Sequence, residues 1–176
     1  MKRFCFLLLL AFTTPWLAGC NKSPAVPPVA AAALTPSLPT EAQPKLPTIK
    51  LWIGTKEMTT ELALTEIQER TGMMFRTNMA PNDGMLFVYG APQQVGFWMM
   101  NCTLPLTAAY IGSDGTILEI HDLEPHNTNT VFSQSAAVQY VLEAPRDWFK
   151  SNNMPVGTAI STEKGTLRET FFSRRP

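Results

Sequence analysis

The stretch Ala108-Ala109-Tyr110-Ile111-Gly112-Ser113-Asp114-Gly115-Thr116-Ile117-Leu118-Glu119-Ile120-His121-Asp122 holds two apolar runs separated by a short turn. Asp-Gly between such runs is a strong hairpin signal, because glycine takes the positive φ that the turn needs. Ala108–Gly112 and Thr116–Asp122 are therefore expected as paired strands. Working outward, Thr48–Ile53 and Glu57–Leu64 alternate apolar and polar residues around Gly54, as half-buried strands do. Thr65 is placed to cap a short helix through Arg70, with Glu66 and Glu69 at its positive end and Gly72 stopping it. Gly84 opens the apolar run Met85–Tyr89, and Phe97–Cys102, Ala137–Glu143 and Val156–Ser161 read as further strands. After Pro145 a second short helix is expected around Arg146–Ser151, with Trp148 and Phe149 facing inward. The fold class implied is mostly β (α+β): a small barrel-like or strongly coiled sheet with two short flanking helices.

This folded region spans about residues 47–162, and the segments on either side differ in kind. Residues 1–19 have the parts of an export signal: Lys2 and Arg3, then the apolar run Cys5–Phe12, then small residues before Cys20. Thr13, Thr14 and Pro15 interrupt that run well short of the roughly 20 apolar residues a spanning helix needs. Leu17-Ala18-Gly19-Cys20 is how a bacterial lipoprotein presents its acylation site, so Cys20 is expected to carry lipid. Each buried acyl methylene is worth about 0.8 kcal/mol, so such chains hold a protein to a membrane without a spanning helix. Asn21, where an aspartate would signal retention in the inner membrane, points to the outer membrane and a periplasm-facing domain. Residues 20–46 are rich in Pro and Ala, with six prolines between Asn21 and Leu46, and read as a disordered tether. Residues 163–176 read as a charged, flexible tail, although Leu167 and Phe171 would share a face if Thr166–Phe172 were helical.

Charge and cysteine usage exclude several function classes. The chain has 14 Lys+Arg and 14 Asp+Glu, and loss of Lys2 and Arg3 with the leader leaves 12 against 14, a formal charge of −2. That balance does not suit a nucleic-acid partner. Of the three cysteines, Cys5 leaves with the signal and Cys20 is acylated. Cys102 then stands alone and reads as a buried small hydrophobe, since no neighbouring histidine or basic cluster lowers its pKa.

Gly72-Met73-Met74-Phe75-Arg76, Gly84-Met85-Leu86-Phe87, Phe97-Trp98-Met99 with Asn101 and Pro105-Leu106, Asp114-Gly115, and Tyr140-Val141-Leu142-Glu143 follow one another in the order of a known pattern. In these motifs the chain resembles domain-of-unknown-function family 192 over essentially its whole folded region. The resemblance implies a compact, mostly-β domain, often exported, with no established reaction. The chain departs from the pattern at Thr107, where the family usually has an aspartate after Pro-Leu. It also departs at Met100 and Cys102, at Pro145-Arg146-Asp147 and at Gly157-Thr158. The carboxylate on which an activity of that aspartate would rest is absent here.

The polar residues embedded in apolar sequence are the candidates for chemistry. Arg76 and Glu143, if buried, need partners, and the structural expectation is that they pair with each other. Asn101 is expected to hydrogen-bond a loop backbone. His121, Asp122, Glu124 and His126 are the one place to seek a metal, but their spacing is no zinc signature and Pro125 places them in a loop, so no metal is expected. No cofactor is expected either, since phosphate-loop, dinucleotide and nucleophile-elbow motifs are missing from the sequence. Phe97, Trp98, Met99 and Met100, with Met73, Met74, Met85 and Phe87, either fill the core or line an apolar groove.

Two readings follow. One is a non-catalytic, lipid-anchored module that binds an envelope component, whether glycan, peptide or protein, with Arg76, Phe97, Trp98, Asn101 and Glu143 as candidate ligand-binding residues. The other is a small envelope hydrolase using Glu143, Arg76 or the His121 region. An exposed aromatic groove favours the first, and a cleft with an unpartnered Glu143 against an apolar wall favours the second.

Overall fold

The computed structural model describes residues 38–173. The leader, Cys20 and most of the proposed tether lie outside the described residues. The elements are, in chain order, β1 (Thr48–Ile53), β2 (Lys56–Ala63), α1 (Glu66–Thr71), β3 (Asp83–Gln93), β4 (Gly96–Phe97), β5 (Leu106–Gly112), β6 (Ile117–Leu123), β7 (Val131–Phe132), β8 (Val138–Pro145), α2 (Trp148–Ser151), β9 (Ile160–Thr162), β10 (Gly165–Thr166) and α3 (Leu167–Phe172). Eight strands form one sheet in the order β10-β9-β1-β2-β3-β8-β5-β6, and β4 pairs with β7 in a separate ribbon. No helix among the described residues is long and apolar enough to cross a membrane.

The mostly-β architecture follows the sequence pattern closely. β1 and β2 pair antiparallel in the register Thr48↔Glu61 to Ile53↔Lys56, as their alternation predicts. β5 and β6 form the expected hairpin, with Gly115 at φ +86 and the Asp114 carboxylate taking the Thr116 N–H at 3.0 Å. α1 crosses from β2 to β3, which run parallel, the crossover that such a pair requires. β5 and β8 are buried along nearly their whole length because both faces of the sheet are covered. The pleat sends Met85, Phe87, Ala108, Tyr110 and Val141 to one apolar layer and Leu86, Ala109, Ile111, Tyr140 and Leu142 to the other. Glu143, next after Leu142, therefore belongs to the face of Val141 and Phe87.

The sheet coils without closing. The segment before β9 reaches the outer edge of β6: Ile117 donates to the Thr158 carbonyl at 2.9 Å, and Gly157 donates to that of Ile117 at 2.8 Å. Gly54 donates to Ala159 at 3.1 Å from the β1 side, so these few residues bridge the β1–β9 side of the sheet to β6.

Four expectations are corrected. The strand foreseen over Phe97–Cys102 ends at Phe97, because Asn101 adopts φ +58 and Cys102 donates back to Met99 in a turn. The strand foreseen from Val156 starts only at Ile160, since Gly157 at φ +92 keeps the chain in a turn. The tail is ordered through Ser173 rather than frayed. Thr166 and Glu169 form a reciprocal cap on α3, whose Leu167 is wholly buried, giving three helices rather than two. The end of the proposed tether also packs on the domain: Leu46 is buried and donates its N–H to Glu61, while the Gln43 amide donates to the Gly72 carbonyl at 2.9 Å.

Gly84 shows why the β2–β3–β8 centre is tight. A Cβ there would stand 2.6 Å from Met58 Sδ and 2.9 Å from the Glu143 carbonyl oxygen. The thioether can move, whereas the carbonyl belongs to the sheet. Gly84→Ala is expected to cost about 1–3 kcal/mol through overpacking, readable as a lower urea midpoint.

Candidate functional site

On the Phe87 face of the sheet, α1 and the loop that follows β3 leave a cleft of about 340 Å³ between them. One wall is built by helix termination. Thr65 Oγ1 accepts the Gln68 N–H while Gln68 Oε1 accepts the Thr65 N–H, which fixes the start of α1. Gly72 then ends the helix at φ +46, donating to the Gln68 carbonyl at 2.8 Å, and lets Met73 and Met74 turn onto the core. A Cβ on Gly72 would stand 3.4 Å from the Phe87 ring, so the turn lies directly against the cleft wall.

The opposite wall is the Gln93–Trp98 segment, held by Ser133. Val95 donates to Ser133 Oγ at 3.1 Å and accepts the Ser133 N–H at 2.8 Å, and the Gln94 amide donates to the Ser133 carbonyl at 2.8 Å. Phe97 then meets Phe87 edge-on with ring centroids 4.8 Å apart, and Trp98 beside it stays half-buried. Glu143 of β8 lies within this lining, only 3% exposed.

Glu143 is the anomaly of the site. Its Oε2 is buried with no hydrogen-bond partner. Burial pushes its pKa up to about 8, which favours the protonated carboxyl at neutral pH. Burial, with the nearby Glu143, also pushes the Cys102 thiol up to about 12, which keeps it a neutral, apolar-like group. Burial foremost raises the Tyr89 hydroxyl, followed by Glu69 and Glu143, and burial then Glu143 raise that of Tyr110, which donates its proton to the Val131 carbonyl at 2.9 Å. At the mouth, burial and then the neighbouring Glu66 raise Glu69.

The expected Arg76–Glu143 ion pair does not form. Arg76 Nη2 lies 3.0 Å from Glu61 Oε2 and donates also to the Pro44 carbonyl. Arg76 follows α1 and lands beside β2, while Glu143 lies between Met85 of β3 and Ala108 of β5. Asn101 acts through its main chain rather than the side chain expected: its backbone carbonyl accepts the Phe75 N–H at 2.8 Å from a left-handed position. Of the five candidate ligand-binding residues, the structure brings Phe97, Trp98 and Glu143 together in one cleft and leaves Arg76 and Asn101 outside its lining. Gln93, Gln94 and the mouth residues Glu66 and Glu69 were not singled out from sequence, because polar residues in a loop or on a helix face carry no signal of what lies across from them.

The His121 region is occupied by pairing. His121 Nε2 lies 2.9 Å from Glu119, Asp122 accepts the Thr107 hydroxyl at 2.8 Å, and Glu124 holds Arg146 at 2.8 Å. Among the described residues no group of three or more His, Cys, Asp or Glu is placed to hold a metal. Thr107, the departure from the family's usual aspartate, still organises the chain there, because its hydroxyl oxygen accepts the Asp147 N–H at 3.1 Å ahead of α2. Thr107→Val is expected to leave that amide and Asp122 without their partner and to cost about 1–3 kcal/mol in urea unfolding, with Thr107→Ser nearly neutral.

Comparison with known proteins agrees with this fold. A crystal structure of a candidate transcription regulator from Sinorhizobium meliloti 1021 is 33% identical, with a TM-score of 0.63, covering 69% of this chain and 98% of that one. A protein of unknown function from Novosphingobium aromaticivorans DSM 12444 shares the fold at 23% identity and a TM-score of 0.62, over 85% of this chain and 99% of its own. No curated protein matches. Residues 49–162 match the family DUF192, described as "Uncharacterized ACR", and the chain belongs to that family.

Proposed function

We propose that this chain is a lipid-anchored protein of the bacterial envelope whose DUF192 domain binds a small ligand in the cleft over Glu143. The observation that carries the reading is convergence. Met73 and Met74, Phe87, Phe97 and Trp98, and Glu143 come from four separate family motifs and line one concavity, with an unpartnered carboxyl at its base. Apolar walls joined to a few polar anchors are the composition of a ligand pocket, and about 340 Å³ falls within the usual range. Anchoring through Cys20, exposure to the periplasm and residence in the outer membrane rest on residues 17–21. The description of the Sinorhizobium relative belongs to that protein. Here 14 Lys+Arg against 14 Asp+Glu supply no excess positive charge for a phosphate backbone.

A thermal-shift screen of the purified protein with cell-wall fragments and oligosaccharides tests the binding reading, since a ligand held only by the folded state raises Tm by mass action. A saturable shift lost in Trp98→Ala, without loss of fold, supports it. Shifts that survive in Trp98→Ala place the ligand elsewhere. Labelling of cells with palmitate, abolished by Cys20→Ser, checks the anchor.

The second reading, a small hydrolase, draws on one specific observation. A lone carboxyl with its pKa raised to about 8 against an apolar wall is suited to general acid catalysis near neutral pH. A hydrolytic product formed by the wild type and lost in Glu143→Gln would favour it over binding alone.

A further inference from the structure

Glu143 raises a question of charge that goes deeper than the presence of a cleft, and the answer rests on the reading of that cleft as a ligand site. The groups facing Glu143 are Tyr89 from β3, Tyr110 from β5 and Cys102 from the turn after β4, all neutral at physiological pH. At the mouth stand Glu66, Glu69 and Arg70 of α1. Three carboxyl groups and one guanidinium thus line the space, and the Glu143 Oε2 is buried without a hydrogen-bond partner. An anion entering here would meet like charge. A cation would meet opposite charge at the mouth, aromatic rings on the walls and an unused acceptor at the base.

We propose that the cleft takes an organic ammonium ion, its charged head against the Glu143 carboxyl and its apolar body against Phe97, Trp98 and Met73. The half-buried Trp98 offers an indole face for cation–π contact, which gains in strength as water is excluded. Binding then includes a proton exchange: the Glu143 carboxylic acid gives its proton to solvent, the carboxylate left behind hydrogen-bonds the ammonium N–H groups, and no other bond forms or breaks. Charge balances, with one cation entering and one proton leaving.

The test uses cyclohexylmethylammonium and its neutral twin cyclohexylmethanol, titrated calorimetrically into the purified full chain in detergent at pH 7 in phosphate, with proton release read separately by pH-stat in amine-free, weakly buffered saline. The expected result is saturable binding of the ammonium with release of protons, seen as base consumption in the pH-stat. The alcohol should bind at least tenfold more weakly, and Glu143→Gln should lose at least tenfold for the ammonium while keeping the wild-type circular dichroism. Ammonium binding without proton release, or unchanged in Glu143→Gln, overturns the proposal. Tight binding of the alcohol alone overturns the ammonium head but leaves the cleft as a ligand site. Failure of both probes, together with a thermal-shift screen blind to Trp98→Ala, overturns the cleft reading as well.

Discussion

Glu143→Gln is expected to flatten the pH dependence of stability between about pH 4.5 and pH 8 and to make the protein more stable than wild type above that window. The carboxyl has an ordinary value of 4.5 when the chain is unfolded and about 8 in the folded cleft, because burial disfavours its charged form. Between those values the folded state binds the proton that the unfolded state has released, so stability falls as pH rises through the window. It is fully present below pH 4.5 and lost by about pH 8. At 1.36 kcal/mol per unit the total is about 3–6 kcal/mol, a large share of the stability of a domain this size. Glutamine has nearly the same shape and does not titrate, so its variant lacks the slope. Urea unfolding followed by tryptophan fluorescence at several pH values reads the difference directly. Parallel curves for wild type and variant would mean that Glu143 is solvated or paired in solution, and the cleft would lose its central feature.

Phe87→Ala is expected to cost about 3–5 kcal/mol, the range for deleting a wholly buried phenylalanine. Phe87 lies against Gly72 on one side and meets Phe97 edge-on at 4.8 Å on the other, so it joins both walls of the cleft to the sheet. Its removal leaves a void that neither wall can fill. The Gly72 turn is fixed by the Gln43 and Gln68 hydrogen bonds, and the Phe97 segment is clamped by Ser133. Phe87→Leu, which keeps most of the volume, should cost markedly less. A loss below about 1 kcal/mol for the alanine variant would contradict the packing described.

Much of this fold was legible because its signals are local. The Asp114-Gly115 turn, the Thr65 cap, the Gly72 stop and the alternation in β1 and β2 each depend on a handful of adjacent residues, and each appears where the pattern placed it. The turn at Asn101 was harder to foresee, since a non-glycine residue at positive φ carries only a weak mark in sequence, and a single glycine such as Gly157 inside an apolar run does not by itself say that the strand begins after it. The site was legible in part. That Glu143 would be buried follows from the apolar run around it. That Arg76 would not reach it depends on strand order, which puts Met85 and Ala108 beside Glu143 and carries Arg76 past α1 to Glu61. No local pattern states which strands become neighbours, and the pairing of β8 between β3 and β5 is a property of the whole chain.

That placement of β8 governs the order in which the molecule can be assembled. Strands β3 and β5 are made early and each finds one neighbour close in sequence, β2 and β6, but their facing edges stay unpaired until the strand from Val138 to Pro145 arrives. Pairings between positions as distant as Met85 and Glu143 slow folding, to the order of milliseconds to seconds for sheets of this kind. During that interval two bare edges flank an empty slot in the middle of the sheet, the arrangement that invites pairing with another chain. A chain cut before Val138 would keep both edges permanently and should aggregate rather than fold. Under the export proposed above, copies of the chain would have to be kept apart until the segment from Val138 onward has emerged.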